Sequence, residues 1–244
     1  MRRRSLEGRL QLFEWSGWYT LRMHTMIDFQ DLTEPQLKLL LRLEKEQCFT
    51  EHFYFTGGTL LKALGIVPRE SNDLDFFTFP EVDYPSYKKG LSVVRMVVQE
   101  VYGADDFDET DRGFALTKEG TFIDCIHEST DLIGDTVSYG RLQTAGVQDI
   151  GASKAGALCS RDEIKDYIDI AFLTKRENWT LSDLERMARE KYKMDTITEE
   201  KLLEELLSKR DLFQILPERF LRNGNEYVDF VNQQINTLIE QTTL

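Results

Sequence analysis

The chain has few of the residues that build metal cages and disulfide frames. Its 244 residues include only 3 cysteines and 3 histidines. Cys48, Cys125 and Cys159 lie far apart, as do His24, His52 and His127. An odd, small number of cysteines argues against a disulfide framework and fits a reducing cytoplasm. Without clustered His or Cys, a zinc site is not expected. Any metal would have to be held by oxygen ligands, which points to magnesium or manganese.

Long apolar runs are missing as well. Stretches such as Val93-Val94 and Ala171–Leu173 are far too short to span a bilayer, so no membrane association is expected. The basic start Met1-Arg2-Arg3-Arg4 is not followed by an apolar stretch, so no secretory signal is expected either. Positive charge is scarce, with 30 Lys and Arg against 43 Asp and Glu, a net charge of −13. Phosphate contacts need Lys and Arg, so this balance disfavours a surface that grips nucleic acid everywhere. It still allows a local basic patch, and it leaves room for a basic protein partner.

What is present is the composition of a globular protein, 41% hydrophobic and 30% charged. The length suffices for one good core or for two smaller units. Residues 1–25 show no clean period. They read as an upstream extension or an ordered arm without chemistry, and Met26 would be a natural start.

Thr33-Glu34-Pro35 opens a helix that should run to about Gln47, with an apolar stripe of Leu37, Leu40, Leu41 and Leu43. His52 to Thr56 reads as a short aromatic strand bounded by Gly57-Gly58. Thr59 to Leu64 reads as a short helix closed by Gly65. A second strand runs from Asp73 to Phe79 and ends at Pro80. Pro85 to Tyr102 carries Leu91, Val94, Val97, Val98 and Val101 at helical spacing. Phe114–Leu116, the turn Lys118-Glu119-Gly120 and Thr121–Ile126 read as a hairpin. A loosely organised stretch follows to about Ala145.

From Val147 onward the signal is helical, over 148–159, 161–175, 182–192, 198–209 and 225–242. Ser182 with Glu185 has the spacing of a capping box. The leucines at 202, 203, 206 and 207 read as helix packing. The expected class is therefore α+β, a small mixed sheet flanked by helices over 26–145, followed by a helical domain over 146–244.

The chemistry concentrates in Phe55-Thr56-Gly57-Gly58-Thr59-Leu60 and, after a loop, Ser71-Asn72-Asp73-Leu74-Asp75-Phe76-Phe77. In a strand, Asp73 and Asp75 share one face while Leu74 and Phe76 turn to the core. Two ionised carboxylates side by side repel, and a divalent cation resolves that repulsion. Glycines at a strand-to-helix turn let backbone approach a ligand, and free N–H groups there suit phosphate. A third acid, Asp124, lies on the Phe122 and Ile126 face of its strand, where it is out of place without a partner such as a metal. Phosphoryl transfer uses such parts, because its catalysis is mostly positioning and charge stabilisation.

Farther on, Asp149-Ile150-Gly151-Ala152-Ser153-Lys154 leads to Arg161 and to Lys165-Asp166-x-x-Asp169. Lys154 with Arg161 or Lys165 could hold triphosphate or acceptor phosphates, and Asp166 and Asp169 share one helix face. His127 reads as a surface or capping residue, and Cys125 and Cys159 as core.

The Gly57-Gly58-Thr59 turn, the run from Arg69 through Ser71, Asp73 and Asp75 to Phe77, and the later lysine and aspartate motif resemble AbiEii/AbiGii-type nucleotidyltransferases. These are toxins of bacterial toxin–antitoxin and phage-defence systems, within the DNA-polymerase-β-like nucleotidyltransferase superfamily. The resemblance runs from about Phe53 to Leu173. It implies an enzyme that moves a nucleoside monophosphate from a nucleoside triphosphate to an acceptor, with transfer RNA plausible for some relatives and a cognate antitoxin expected. It implies nucleotide contacts at Lys154 and an orienting or basic role for Asp166, with Asp169 as the second choice. Two other readings stand beside it. One is a transferase acting on a cationic small molecule such as an aminoglycoside. The other is a non-catalytic nucleotide- or RNA-binding module of the same fold.

Overall fold

A computed structural model describes residues 31–103, 107–108, 113–116, 121–215 and 225–242. The expected extension at 1–25 and the turn 118–120 lie outside them.

Helix α1 (Glu34–Leu43) starts with a reciprocal cap, Thr33 to the Gln36 backbone and Gln36 back to Thr33. It ends four residues before the expected Gln47. A second helix, α2 (Gln47–His52), then leads straight into strand β1 (Phe53–Thr56). The buried stripe is Leu39, Leu40 and Leu43, whereas Leu41 is 43% exposed. The expected stripe was therefore out of phase at Leu41. Next come α3 (Gly57–Ala63), β2 (Asp73–Thr78) and α4 (Tyr84–Tyr102). Asp83 caps α4, and Gly103 closes it in the left-handed region.

Short strands β3 (Phe107–Asp108) and β4 (Gly113–Leu116) precede β5 (Phe122–Ile126). The stretch expected to be loose contains a hairpin, β6 (Val137–Tyr139) and β7 (Leu142–Thr144). Strands of three residues carry too few side chains to show a period of two, so the pattern was silent there. Helices α5 (Val147–Ser160), α6 (Ile164–Glu177), α7 (Leu181–Tyr192), α8 (Glu199–Ile215) and α9 (Asn225–Thr242) complete the described chain. The cap of α7 is Thr180 with Asp183, not Ser182 with Glu185. Arg161 lies between α5 and α6 in extended backbone, not on a helix face.

The class is α+β. The described strands form one seven-stranded sheet in the order β3-β4-β5-β2-β1-β7-β6, wider than the small sheet expected. It is mixed, since β1 with β7 and β2 with β5 are parallel and the other pairs antiparallel.

One face of the central strands is apolar. Leu74, Phe76, Ile123 and Cys125 are fully buried there. Phe49 stacks on Phe53 at 5.3 Å and meets Phe76 edge-on at 5.0 Å. The Tyr87 hydroxyl donates to the Cys125 carbonyl at 2.9 Å, tying α4 to β5. Each buried aromatic ring contributes roughly 2–3 kcal/mol by removal from water, so this face holds the strands in register. With that face committed to the core, the alternate side chains Asp73, Asp75 and Asp124 must project from the other. Helices α5 and α7 pack against each other. No described helix is long and apolar enough to cross a membrane.

Candidate active site

The site begins where β1 becomes α3. Gly57 takes φ +81°, a conformation that side-chain-bearing residues adopt only at a cost. β1 pairs with β2 antiparallel, with Thr56 opposite Asp75, so the Asp75 carboxylate lies directly on this bend. A Cβ on Gly57 would fall 2.0 Å from Asp75 Oδ2. Both the backbone angle and the space therefore require glycine.

The parallel register of β2 and β5 places Asp75 beside Asp124 and Asp73 beside Phe122. The two acids that face each other are thus Asp75 and Asp124. Asp73 stands two residues back along β2, roughly 7 Å away by strand geometry. Among the described residues no three His, Cys, Asp or Glu already converge on one ion position. The expected trio of Asp73, Asp75 and Asp124 is therefore brought to one strand face without being drawn into a closed cage.

Asp75 is half-buried, with an edge on the cleft and protein around the rest. Burial pushes its carboxyl above the ordinary range, Lys154 pulls it back in part, and Asp73 adds to the rise.

A cleft of about 550 Å³ opens over these acids. Thr56, Gly57, Asp75 and Asp124 line it from the sheet. Ser153, Lys154 and Arg161 line it from α5 and the turn after it, and Tyr192, Met194, Ile197 and Lys201 from α7 and beyond. This volume is ordinary for a small-molecule site. Sequence reading missed the wall from 192 to 201, because its residues come from a helix end, a loop and a helix start with no common period.

Lys154 is buried and bonds two carboxylates, Asp166 Oδ1 at 2.9 Å and Asp169 Oδ2 at 2.8 Å. Each carboxylate is gripped from its far side by an arginine. Arg161 reaches both oxygens of Asp166, at 2.7 and 2.9 Å. Arg69 takes both oxygens of Asp169, at 2.6 and 2.7 Å. Burial pushes both aspartates up, but Lys154 with Arg161 or Arg69 overcomes it, and both end below the usual carboxylate range. Burial lowers the Lys154 amine, and the two aspartates more than reverse it.

Several expected roles change in this light. Asp166 is fully buried and saturated by two cations, so it suits positioning and not proton abstraction. The Thr59 hydroxyl is buried, donates to the Asp73 carbonyl and shares a hydrogen bond with the Ser71 hydroxyl at 2.8 Å. It pins α3 to β2 and is not turned to a nucleotide. Gly58 is covered by Arg69, whose Nη2 would sit 2.2 Å from a Cβ there. Lys165 pairs with Glu163 at 2.9 Å and is not part of the cleft wall. Gly57, Lys154 and Arg161 do face the cleft, with Asp75 and Asp124. His127 bonds the Val82 carbonyl at 2.8 Å and stacks on Tyr87, away from the cleft. The Arg69–Asp169 pair joins residues 100 apart in sequence, and no local pattern announces such a pairing.

Residues 38–137 match the family model described as nucleotidyl transferase AbiEii toxin, type IV toxin–antitoxin system. The uncharacterized protein aq_aa25 of Aquifex aeolicus (strain VF5) is 29% identical over 144 residues, covering 58% of this chain and 66% of the relative. The chain thus spans just under two thirds of that relative. Among solved structures, JHP933 from Helicobacter pylori is similar at a TM-score of 0.46 and 17% identity, over 87% of this chain and 95% of that one. A second H. pylori structure, provisionally described as a nucleotidyltransferase, matches at 0.46 and 18%, over 87% and 98%. The matched stretch, 38–137, is the part that builds the glycine bend and the strands of Asp75 and Asp124, and it is similar to the AbiEii nucleotidyltransferase toxin family.

Proposed function

We propose that this cleft transfers a nucleoside monophosphate from a nucleoside triphosphate to an acceptor hydroxyl. The observation that carries the reading is the placement of Asp75 and Asp124 side by side on the Gly57 bend, with Lys154 and Arg161 in the same cleft. Acids that attract a cation thus face bases that attract phosphate.

The donor set fits magnesium or manganese. Asp75 is a carboxylate raised by burial and by a neighbouring acid, and a divalent ion would relieve both effects. Asp75 and Asp124 would hold it, with Asp73 approaching from the start of β2. Such an ion, when bound, supplies positive charge to phosphate oxygens. Lys154 and Arg161 bind the triphosphate, and Gly57 lets its backbone approach. Asp124 accepts the proton of the attacking hydroxyl. The new oxygen–phosphorus bond forms at the α-phosphorus, and the bond to pyrophosphate breaks.

An RNA acceptor is the first choice, because Lys154 and Arg161 bring positive charge to the cleft of a chain whose net charge is −13. The family description also supports a role as the toxin of a two-component system with an antitoxin partner. Incubation with each labelled nucleoside triphosphate, magnesium and total RNA tests the reading. Label should pass to RNA with wild type and not with Asp75→Ala. Transfer only to cationic small molecules would favour the aminoglycoside-type reading. Nucleotide binding without pyrophosphate release would favour a binding module.

A further inference from the structure

Five charged side chains form one unbroken line, Arg69–Asp169–Lys154–Asp166–Arg161, with contacts of 2.6 to 2.9 Å. Both aspartates are fully buried, and Arg69 and Lys154 are nearly so. Within the line, three cations against two anions leave one net positive charge; beyond it, the half-exposed Arg161 also meets the exposed Glu163, at the longer distance of 3.8 Å. Lys154 is the middle member and reaches the cleft. Arg69 does not line it.

We infer that Arg69 is a positioning residue that acts through Asp169, cancelling that carboxylate so that Lys154 presents an uncompensated positive charge to a phosphate in the cleft. Lysine held by two aspartates alone would sum to minus one and would repel a triphosphate. The two arginine forks, one on each aspartate, reverse that sign. Buried in low-polarity surroundings, such charges are weakly screened, so the reversal is felt across the short distance to the cleft.

A second observation shows that the fold makes room for this fork. Arg69 Nη2 occupies the space a Cβ at Gly58 would need, so the second glycine of the pair serves the arginine and the first serves Asp75. Arg69 also donates to the Glu70 carbonyl at 2.9 Å, which fixes the guanidinium from the loop side. The inference rests on the proposed binding of a triphosphate, and it assigns a role to a residue outside the cleft.

The test is a charge cycle read by calorimetry with inorganic pyrophosphate and with a non-hydrolysable nucleoside triphosphate, each with magnesium. Arg69→Gln removes the remote charge and should weaken binding of both by about tenfold or more. Arg69→Gln with Asp169→Asn restores the net charge of the line and should recover affinity to within about threefold. Arg69→Lys, which keeps the charge, should also stay within about threefold.

A purely structural role predicts instead that the double variant is no better than Arg69→Gln. That result, or an unchanged affinity in a folded Arg69→Gln, overturns the inference while leaving the proposed reaction standing. If Arg69→Gln does not fold, the double variant and Arg69→Lys decide by the same thresholds. Should the wild type bind neither probe, the proposed reaction falls and this inference with it.

Discussion

The Oδ2 atom of Asp75 sits 2.0 Å from the point where a Cβ on Gly57 would be. The acid and the bend are therefore one unit, and neither can be changed without moving the other. Gly57→Ala should lose about 1–3 kcal/mol of stability from its φ of +81°. It should also lose nucleotide transfer by more than about tenfold, because Asp75 is displaced from the attack geometry. Urea denaturation and label transfer measured on the same preparation check both.

Asp75 is a carboxyl whose folded pKa is raised, chiefly by burial. The folded state holds this proton more tightly than the unfolded chain, so the group's contribution is full at pH below the ordinary carboxylate value of 3.8. It is lost as pH rises through the higher folded value. Asp75→Asn should therefore melt higher than wild type at neutral pH without metal, with the difference vanishing in acid, while transfer is abolished. Melting curves between pH 3 and 8 would read this out. A lower melting temperature for Asp75→Asn at neutral pH would contradict it.

Asp166 and Asp169 behave in the opposite sense. Both are held below 3.8, so their stabilising effect is complete above that value and is lost as pH falls through the lower folded values. Acid unfolding followed by circular dichroism should begin below about pH 4 for these groups. In Asp169→Asn the part owed to Asp169 should be missing, giving a shallower acid limb.

Lys154→Met should be among the most damaging single changes. It leaves two buried carboxylates with one arginine each, and breaking a buried pair from one side costs about 3–5 kcal/mol. Chemical denaturation should show that loss, and calorimetry should show no triphosphate binding.

Lys191 offers a contrasting control. It is fully buried and bonds Asp149 Oδ1 at 2.7 Å, while Ile133 N–H donates to the same oxygen. Lys191→Met should cost about 3–5 kcal/mol as well. Because Lys191 is not part of the cleft wall, triphosphate affinity should stay within about threefold wherever the protein remains folded.

Much of this was legible in the residues. The alternation in Asp73–Thr78 announced which side chains turn inward, and the structure buries Leu74, Phe76 and Thr78 as that pattern requires. The helical spacing of Leu91, Val94, Val97 and Val98 likewise marked the buried face of α4. Other features were not legible. Hairpin β6–β7 is too short to carry a period, and Leu41 fell on the wrong face because three successive leucines, Leu39 to Leu41, blur a period of 3.6. The capping box of α7 was misplaced by two residues because Thr180 and Ser182 offer equivalent hydroxyls, and only the chain path decides which one starts the helix.

By itself the sequence determined the longer strands and helices, the shared face of Asp73 and Asp75, and the glycine bend before them, because each depends on neighbours a few residues away. Tertiary structure alone decided that Asp75 pairs with Asp124, that Arg69 meets Asp169 across 100 residues, and that Lys154 stands between two aspartates. The physical reason is that strand register and buried ion pairing are set by how whole surfaces exclude water. A side chain's charge partner is whichever group that exclusion leaves beside it.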